Sequence, residues 1–324
     1  MLDRAAALVR DIEAIPGVLD FMAAADGLQN TIRDGIGGTS WLPRRVVLTG
    51  LGSSRFAALD VEADLRALGG EVIVEHASTD RPVQPSTDCL FVAISSSGRT
   101  AEVVAAAERH RGLSRVLAVT RDATSRLADA ADSVVVLPAE AEESGVATTT
   151  YVATVAVLRY LVAVLGTLAS PASALAEAAA DARVVLATRD AWLPGALALV
   201  REVEALSVLA PWSERGAAEQ VALLFREAPR RSADVAETAE WLHTGVYTAL
   251  PGSVVLVVAG SPADGEVART IDGRSGRIIV IGGDGSAPPW PAAAVIPAGS
   301  PIVRIVGPAL VAAALWRAMP GPLG

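Results

Sequence analysis

Cys89-Leu90-Phe91-Val92-Ala93-Ile94-Ser95-Ser96-Ser97-Gly98-Arg99-Thr100-Ala101-Glu102-Val103-Val104 is the stretch on which the fold turns. Its first six residues are continuously apolar, the pattern of a short strand covered on both faces. Ala101–Glu108 reads as a helix. Between them lies a turn with four hydroxyls and one glycine. The first turn of a helix has N–H groups without an intrahelical partner, and the dipole's positive end reinforces them. Such a strand–turn–helix junction can hold an anion, and the simplest one is a phosphate. Gly98 lets the backbone approach it closely.

The same alternation extends outward on both sides. Strands are predicted at 45–49, 71–75, 114–120 and 133–137, with helices at 56–68, 100–111, 125–131 and about 146–168. The second half repeats the plan less cleanly. It has helices at 170–190, 193–204, 217–228, 265–272 and 303–319, and strands at 205–210, 254–259, 277–281 and 293–296. Near-continuously apolar strands alternating with helices imply parallel sheets covered on both faces. The expected class is α/β: two doubly wound, three-layer domains from an internal duplication, residues 1–168 and 169–324.

Composition narrows the function. The 324 residues are 52% hydrophobic and 19% charged, which suits a buried core rather than disorder. A net charge of −9 argues against nucleic acid or an anionic membrane as the main partner. No signal peptide is visible, and no apolar run of about 18 residues appears, so a cytoplasmic protein without a membrane span is expected. Cys89, the one cysteine, lies in a strand and reads as a buried structural thiol. Three scattered histidines make no metal cluster. His110, in Arg109-His110-Arg111, ends a helix, where a cation interacts favourably with the dipole. All 27 basic residues are arginine, so the chain cannot form a lysine Schiff base.

Ser95-Ser96-Ser97-Gly98-Arg99-Thr100 resembles the phosphate loop of sugar-isomerase (SIS) domains, Ser-x-Ser-Gly-x-Thr after a strand. Gly52-Ser53-Ser54 is similar to the first-strand turn of that family, which adds a hydroxyl to the same phosphate. Glu143-Ser144-Gly145-Val146-Ala147-Thr148-Thr149 is similar to the element that opens its long last helix. The resemblance implies a phosphate site built from Ser54, Ser95, Ser96, Ser97 and Thr100. It places Gly52, Ser53, Arg99, Glu143, Val146 and Ala147 around the substrate.

The overall plan resembles the isomerase half of glucosamine-6-phosphate synthases and related phosphosugar isomerases and deaminases. Those synthases carry a general-base Glu and, sixteen residues later, a ring-opening His. Here Glu227 and His243 have that spacing, and the resemblance implies those roles for them. Aldose–ketose interconversion needs a group that opens the sugar ring and a base that moves a proton between C1 and C2 through an enediol. A carboxylate can be that base if burial raises its pKa.

Several positions depart from the synthase pattern. Arg99 stands where Glu is usual, and Thr150 where Lys is usual. Ala210-Pro211-Trp212 replaces a second glycine-rich loop, so no second phosphate site is expected there. Thr244-Gly245 follows the His, and neither a glutaminase half nor a lysine-bearing C-terminal tail is seen. Without lysine, glutamine-dependent amination is rejected, because arginine stays protonated.

The expectation is a phosphosugar isomerase, or an amino-sugar-phosphate deaminase or deglycase. It would be a homodimer without cofactor, acting by Glu/His acid–base chemistry. The alternative is a non-catalytic sugar-phosphate sensor. The plainer alternatives at single positions are a capped helix for the hydroxyl loop and a solvent-facing Arg99. For Glu227 the alternatives are a surface helix carboxylate or a partner for Arg226 or Arg230, and for His243 a structural or surface histidine. The enzyme alternative predicts that Glu227, His243 and the hydroxyl loop share a pocket, within one chain or completed by a second subunit.

Overall fold

The computed structural model describes residues 3–25, 27–38, 41–283 and 285–319. Two compact units are formed. One comprises Gly17–Ala141 and Thr149–Ala176; the other comprises Met1–Pro16, Glu142–Thr148 and Glu177–Gly324.

The first unit holds a sheet of β1 (Arg45–Gly50), β2 (Glu71–His76), β3 (Cys89–Ile94), β4 (Arg115–Thr120) and β5 (Ser133–Val136). The order is β2-β1-β3-β4-β5 and every pairing is parallel. All six β3 residues are buried, as expected for the central strand of a covered sheet. Phe91 and Cys89 meet Val103, Val104 and Ala107 of the helix Ala101–His110 in the core. The helix Thr149–Leu165 is apolar all round and almost wholly buried, and it packs on Ser53–Ala67. Its Tyr160 hydroxyl donates to the Met22 carbonyl at 2.8 Å, so the buried phenol is satisfied.

The second unit holds β6 (Ala205–Ala210), β7 (Ser232–Glu237), β8 (Val254–Val258), β9 (Arg277–Ile281) and β10 (Ala294–Ile296). The order is β10-β9-β8-β6-β7, again all parallel. Numbered from each unit's first strand, both sheets read 2-1-3-4-5, which is the duplication expected from sequence. The N-terminal helix Arg4–Glu13 belongs to this unit and packs on Val306–Arg317. No helix among the described residues is long and apolar enough to cross a membrane.

Strand β7 is not anticipated by the apolar pattern. Ser232-Ala233-Asp234-Val235-Ala236-Glu237 is polar at every second or third position, and only Ala233 is buried. It is an edge strand, pairing with β6 alone, so one side needs no covering. The short helix Thr238–Trp241 follows it.

His110 departs from its expected character. Its ring is fully buried, stacked on Phe91 with centroids 3.7 Å apart, and Nδ1 lies 2.9 Å from Ser114 Oγ. Burial drives its pKa down to about 4, against a hydrogen bond with the Val83 backbone. Loss of hydration outweighs attraction to the helix dipole, so the imidazole is neutral at pH 7. Cys89 is buried beside it, and burial pushes its thiol pKa up.

Candidate functional site

In a 2-1-3-4-5 sheet the strand order reverses between the first and third strands, and the crevice beyond their carboxyl ends is the usual ligand position. In the first unit that point lies beyond β1 and β3, which pair in parallel up to Thr49 and Ala93. Gly52-Ser53-Ser54 leaves β1 and Ser95–Thr100 leaves β3, so sheet register puts the two hydroxyl turns side by side. Gly52 takes φ 54° before the helix Ser53–Ala67, a conformation that favours glycine.

Within the Ser95–Thr100 loop the hydroxyls have local partners. Ser95 Oγ lies 3.0 Å from Thr100 Oγ1, and Ser97 Oγ accepts from the Arg99 N–H at 3.3 Å. Thr100 occupies the N-cap position but its side chain caps nothing. The Thr100 hydroxyl is therefore not spent on capping the helix. Gly98 has φ 64°, and a Cβ there would lie 2.1 Å from Ser125 Oγ and 2.9 Å from Thr120 Oγ1. Only glycine fits.

The loop is tied to the next strand. Arg121, just past β4, donates its N–H to the Ser96 carbonyl at 3.0 Å and its Nε–H to Ser96 Oγ at 2.8 Å. Sequence reasoning missed Arg121, because nothing in Thr120-Arg121-Asp122 marks it before the strands are paired. Arg99 is largely exposed and reaches Asp122 at 3.4 Å.

Residues 42–164 match the SIS domain family. That stretch of the chain is a SIS domain. The two sheets of the chain form a duplicated SIS fold, and solved structures share it over nearly the whole length. The C-terminal domain of glucosamine-fructose-6-phosphate aminotransferase from Francisella tularensis is 14% identical, with TM-score 0.80 over 96% of this chain and 95% of that one. A tagatose-6-phosphate ketose/aldose isomerase from Escherichia coli is 18% identical, with TM-score 0.75 over 95% and 90%. A glucosamine-6-phosphate deaminase from Thermotoga maritima is 16% identical, with TM-score 0.72 over 96% and 94%. A search of curated protein sequences gives no match.

The remaining candidate residues lie in the second unit. Glu227 ends the helix Arg215–Glu227, with its side chain half-buried. Burial pushes its pKa above the usual carboxylate value; Arg230 and Arg226 oppose the shift and Glu142 adds to it. A negative charge at a helix C-terminus is disfavoured by the dipole as well. The Glu142–Thr148 segment belongs to the same unit: Gln220 Nε2 donates to the Ala147 carbonyl at 2.8 Å, and the Asp11 carboxylate accepts from the Glu143 and Ser144 N–H groups. Val146 is buried and Ala147 partly buried, whereas Glu143 is exposed and paired with Arg10 at 2.6 Å.

His243 is exposed and follows the helix Thr238–Trp241. Glu227 precedes β7 at the amino edge of the sheet, and His243 follows β7 at the carboxyl edge. The six residues of β7 span about 20 Å. The structure thus brings Glu227 together with the Glu142–Thr148 segment but not with the His243 of the same chain.

The second unit's own reversal point, beyond β6 and β8, is built differently. Asp264 Oδ2 accepts from the N–H groups of Gly260 and Ser261 at 2.8 and 3.1 Å. Burial raises the Asp264 pKa against those two bonds. Beside it the largely buried pair Arg304–Glu214 closes at 2.8 Å, and the Arg215 guanidinium stacks 3.5 Å from the Trp212 ring centroid.

Proposed function

We propose that this protein is an enzyme of phosphorylated sugars, an aldose–ketose isomerase or an amino-sugar-phosphate deaminase or deglycase, working without a lysine Schiff base. The observation that carries the reading is the uncapped hydroxyl loop at the first reversal point. Its N-cap hydroxyl accepts from no N–H of the helix's first turn, which suits an external phosphate. The solved relatives whose names include hexose 6-phosphates have the same fold.

In this reading Ser54, Ser95, Ser96, Ser97 and Thr100 hold the phosphate, and its binding energy orients the reacting carbons. Glu227 is the base that moves the proton between C1 and C2. Its raised pKa makes it a better base than an ordinary carboxylate. The absence of lysine leaves acid–base chemistry through an enediol or enolamine as the route. His243 opens the ring, and its separation from Glu227 across β7 means that a second copy of the chain supplies it.

The same separation favours the sensor alternative if the protein is monomeric. Incubation with fructose 6-phosphate, glucosamine 6-phosphate and glycated amino-acid 6-phosphates, followed by product analysis, decides between them. Turnover that is lost in Glu227→Gln, with sugar-phosphate binding retained, supports the enzyme. Turnover unchanged by that substitution removes Glu227 as the base. No turnover, with a melting temperature raised by sugar phosphates, makes the protein a sensor.

A further inference from the structure

We infer that Arg121 reads the charge of the ligand's phosphate, making the loop selective for a doubly ionised phosphomonoester; this rests on the sugar-phosphate reading above. Arg121 is held at two points by one residue of the loop: backbone N–H to the Ser96 carbonyl and Nε–H to Ser96 Oγ. Fixing Nε orients the planar guanidinium and leaves its two terminal nitrogens uncommitted. No carboxylate among the described residues pairs with it. Arg99, its neighbour at the loop, is by contrast exposed and engaged with Asp122.

A partly buried arginine without an acid partner, in a protein of net charge −9, is placed to receive an anion from outside. The hydroxyls supply hydrogen bonds but no charge. Arg121 supplies the charge, and its fork matches two phosphate oxygens. Because Nε donates to Ser96 Oγ, the Ser96 proton remains free to point at the ligand.

Calorimetric titration of the full chain with a matched pair, glucose 6-phosphate and glucose 6-sulfate, tests this. The two esters share shape, and only the phosphate carries a second charge near pH 7.5. Arg121→Gln is expected to weaken phosphate-ester binding about ten- to hundredfold and to erase most of the preference over the sulfate. Arg121→Lys, which keeps the charge without the fork, is expected to recover part of both. A Ser96→Ala variant separates direct from indirect action. If Ser96→Ala reproduces the whole loss, and adding Arg121→Gln changes nothing more, Arg121 only holds the serine and the inference is overturned. Unchanged binding and unchanged preference in Arg121→Gln overturn it too. If the wild-type chain binds neither glucose 6-phosphate nor fructose 6-phosphate, the sugar-phosphate reading itself fails.

Discussion

The two reversal points share one topology and opposite chemistry. Beyond β1 and β3 the chain places hydroxyls, an uncapped helix and a glycine at φ 64°. Beyond β6 and β8 it places its own carboxylate, Asp264, on the N–H groups of Gly260 and Ser261, with the Glu214–Arg304 pair beside it. Parallel α/β sheets create such cradles wherever the strand order reverses. What a cradle does depends on whether an internal anion already fills it. In the proposed reading the second unit contributes instead at the other edge of its sheet, where Glu227 ends a helix.

The largest expected effect tests that division of labour. Glu227→Gln should lower turnover about 1000-fold while leaving sugar-phosphate affinity in place. With Glu227 as the proposed base, wild-type kcat/KM should rise with pH through a midpoint above 4.5, because the deprotonated carboxylate would take the proton and burial raises its pKa. A carboxyl with a raised native pKa stabilises the fold at low pH and loses that contribution as pH rises through it. Glu227→Gln should therefore melt no lower than wild type at pH 7.

Gly98→Ala comes next. Its Cβ would overlap Ser125 Oγ at 2.1 Å in a left-handed backbone conformation. A loss of about 3 kcal/mol in chemical denaturation is expected, together with loss of sugar-phosphate binding. Retained binding would break the claim that this loop is the anion cradle.

Acid sensitivity sharpens the comparison from the far edge of the first sheet. His110 has a native pKa of about 4, below its unfolded value of 6.5. The unfolded chain takes up the proton first, so stability should fall by about 3 kcal/mol as pH drops from 6.5 to 4. His110→Phe should flatten that slope in melts between pH 4 and 7.

The smallest effect is expected at the second cradle. Asp264→Ala strips a charged acceptor from two N–H groups and should cost about 1–3 kcal/mol of stability. Sugar-phosphate affinity should stay within about twofold, since Asp264 is no part of the proposed phosphate loop. A large drop in affinity would show that Asp264 takes part in sugar-phosphate binding.

Much of this was legible before any coordinates. The β3 run and its hydroxyl turn could be read because a covered central strand must be apolar throughout, and polar residues at its end then stand out. Glu227 was legible through its spacing to His243. That same spacing concealed β7, whose alternating polar residues suit an edge strand and carry no apolar signal. Missing it left open whether one chain places Glu227 and His243 together. The structure puts a strand between them. Arg121 and Asp264 were invisible for a related reason, since each matters through a partner on another loop.

The amino-acid sequence by itself determined the duplicated α/β plan, the hydroxyl loop and, through its lack of lysine, that no lysine Schiff base can form. These depend on local pattern and composition, which short-range sterics and hydrophobic periodicity encode directly. Only the tertiary structure decided which cradle is open, which arginine is tied to the loop, that His110 is neutral, and that β7 separates the candidate acid and base. Those are consequences of strand order and burial, which bring together or part residues far from one another along the chain.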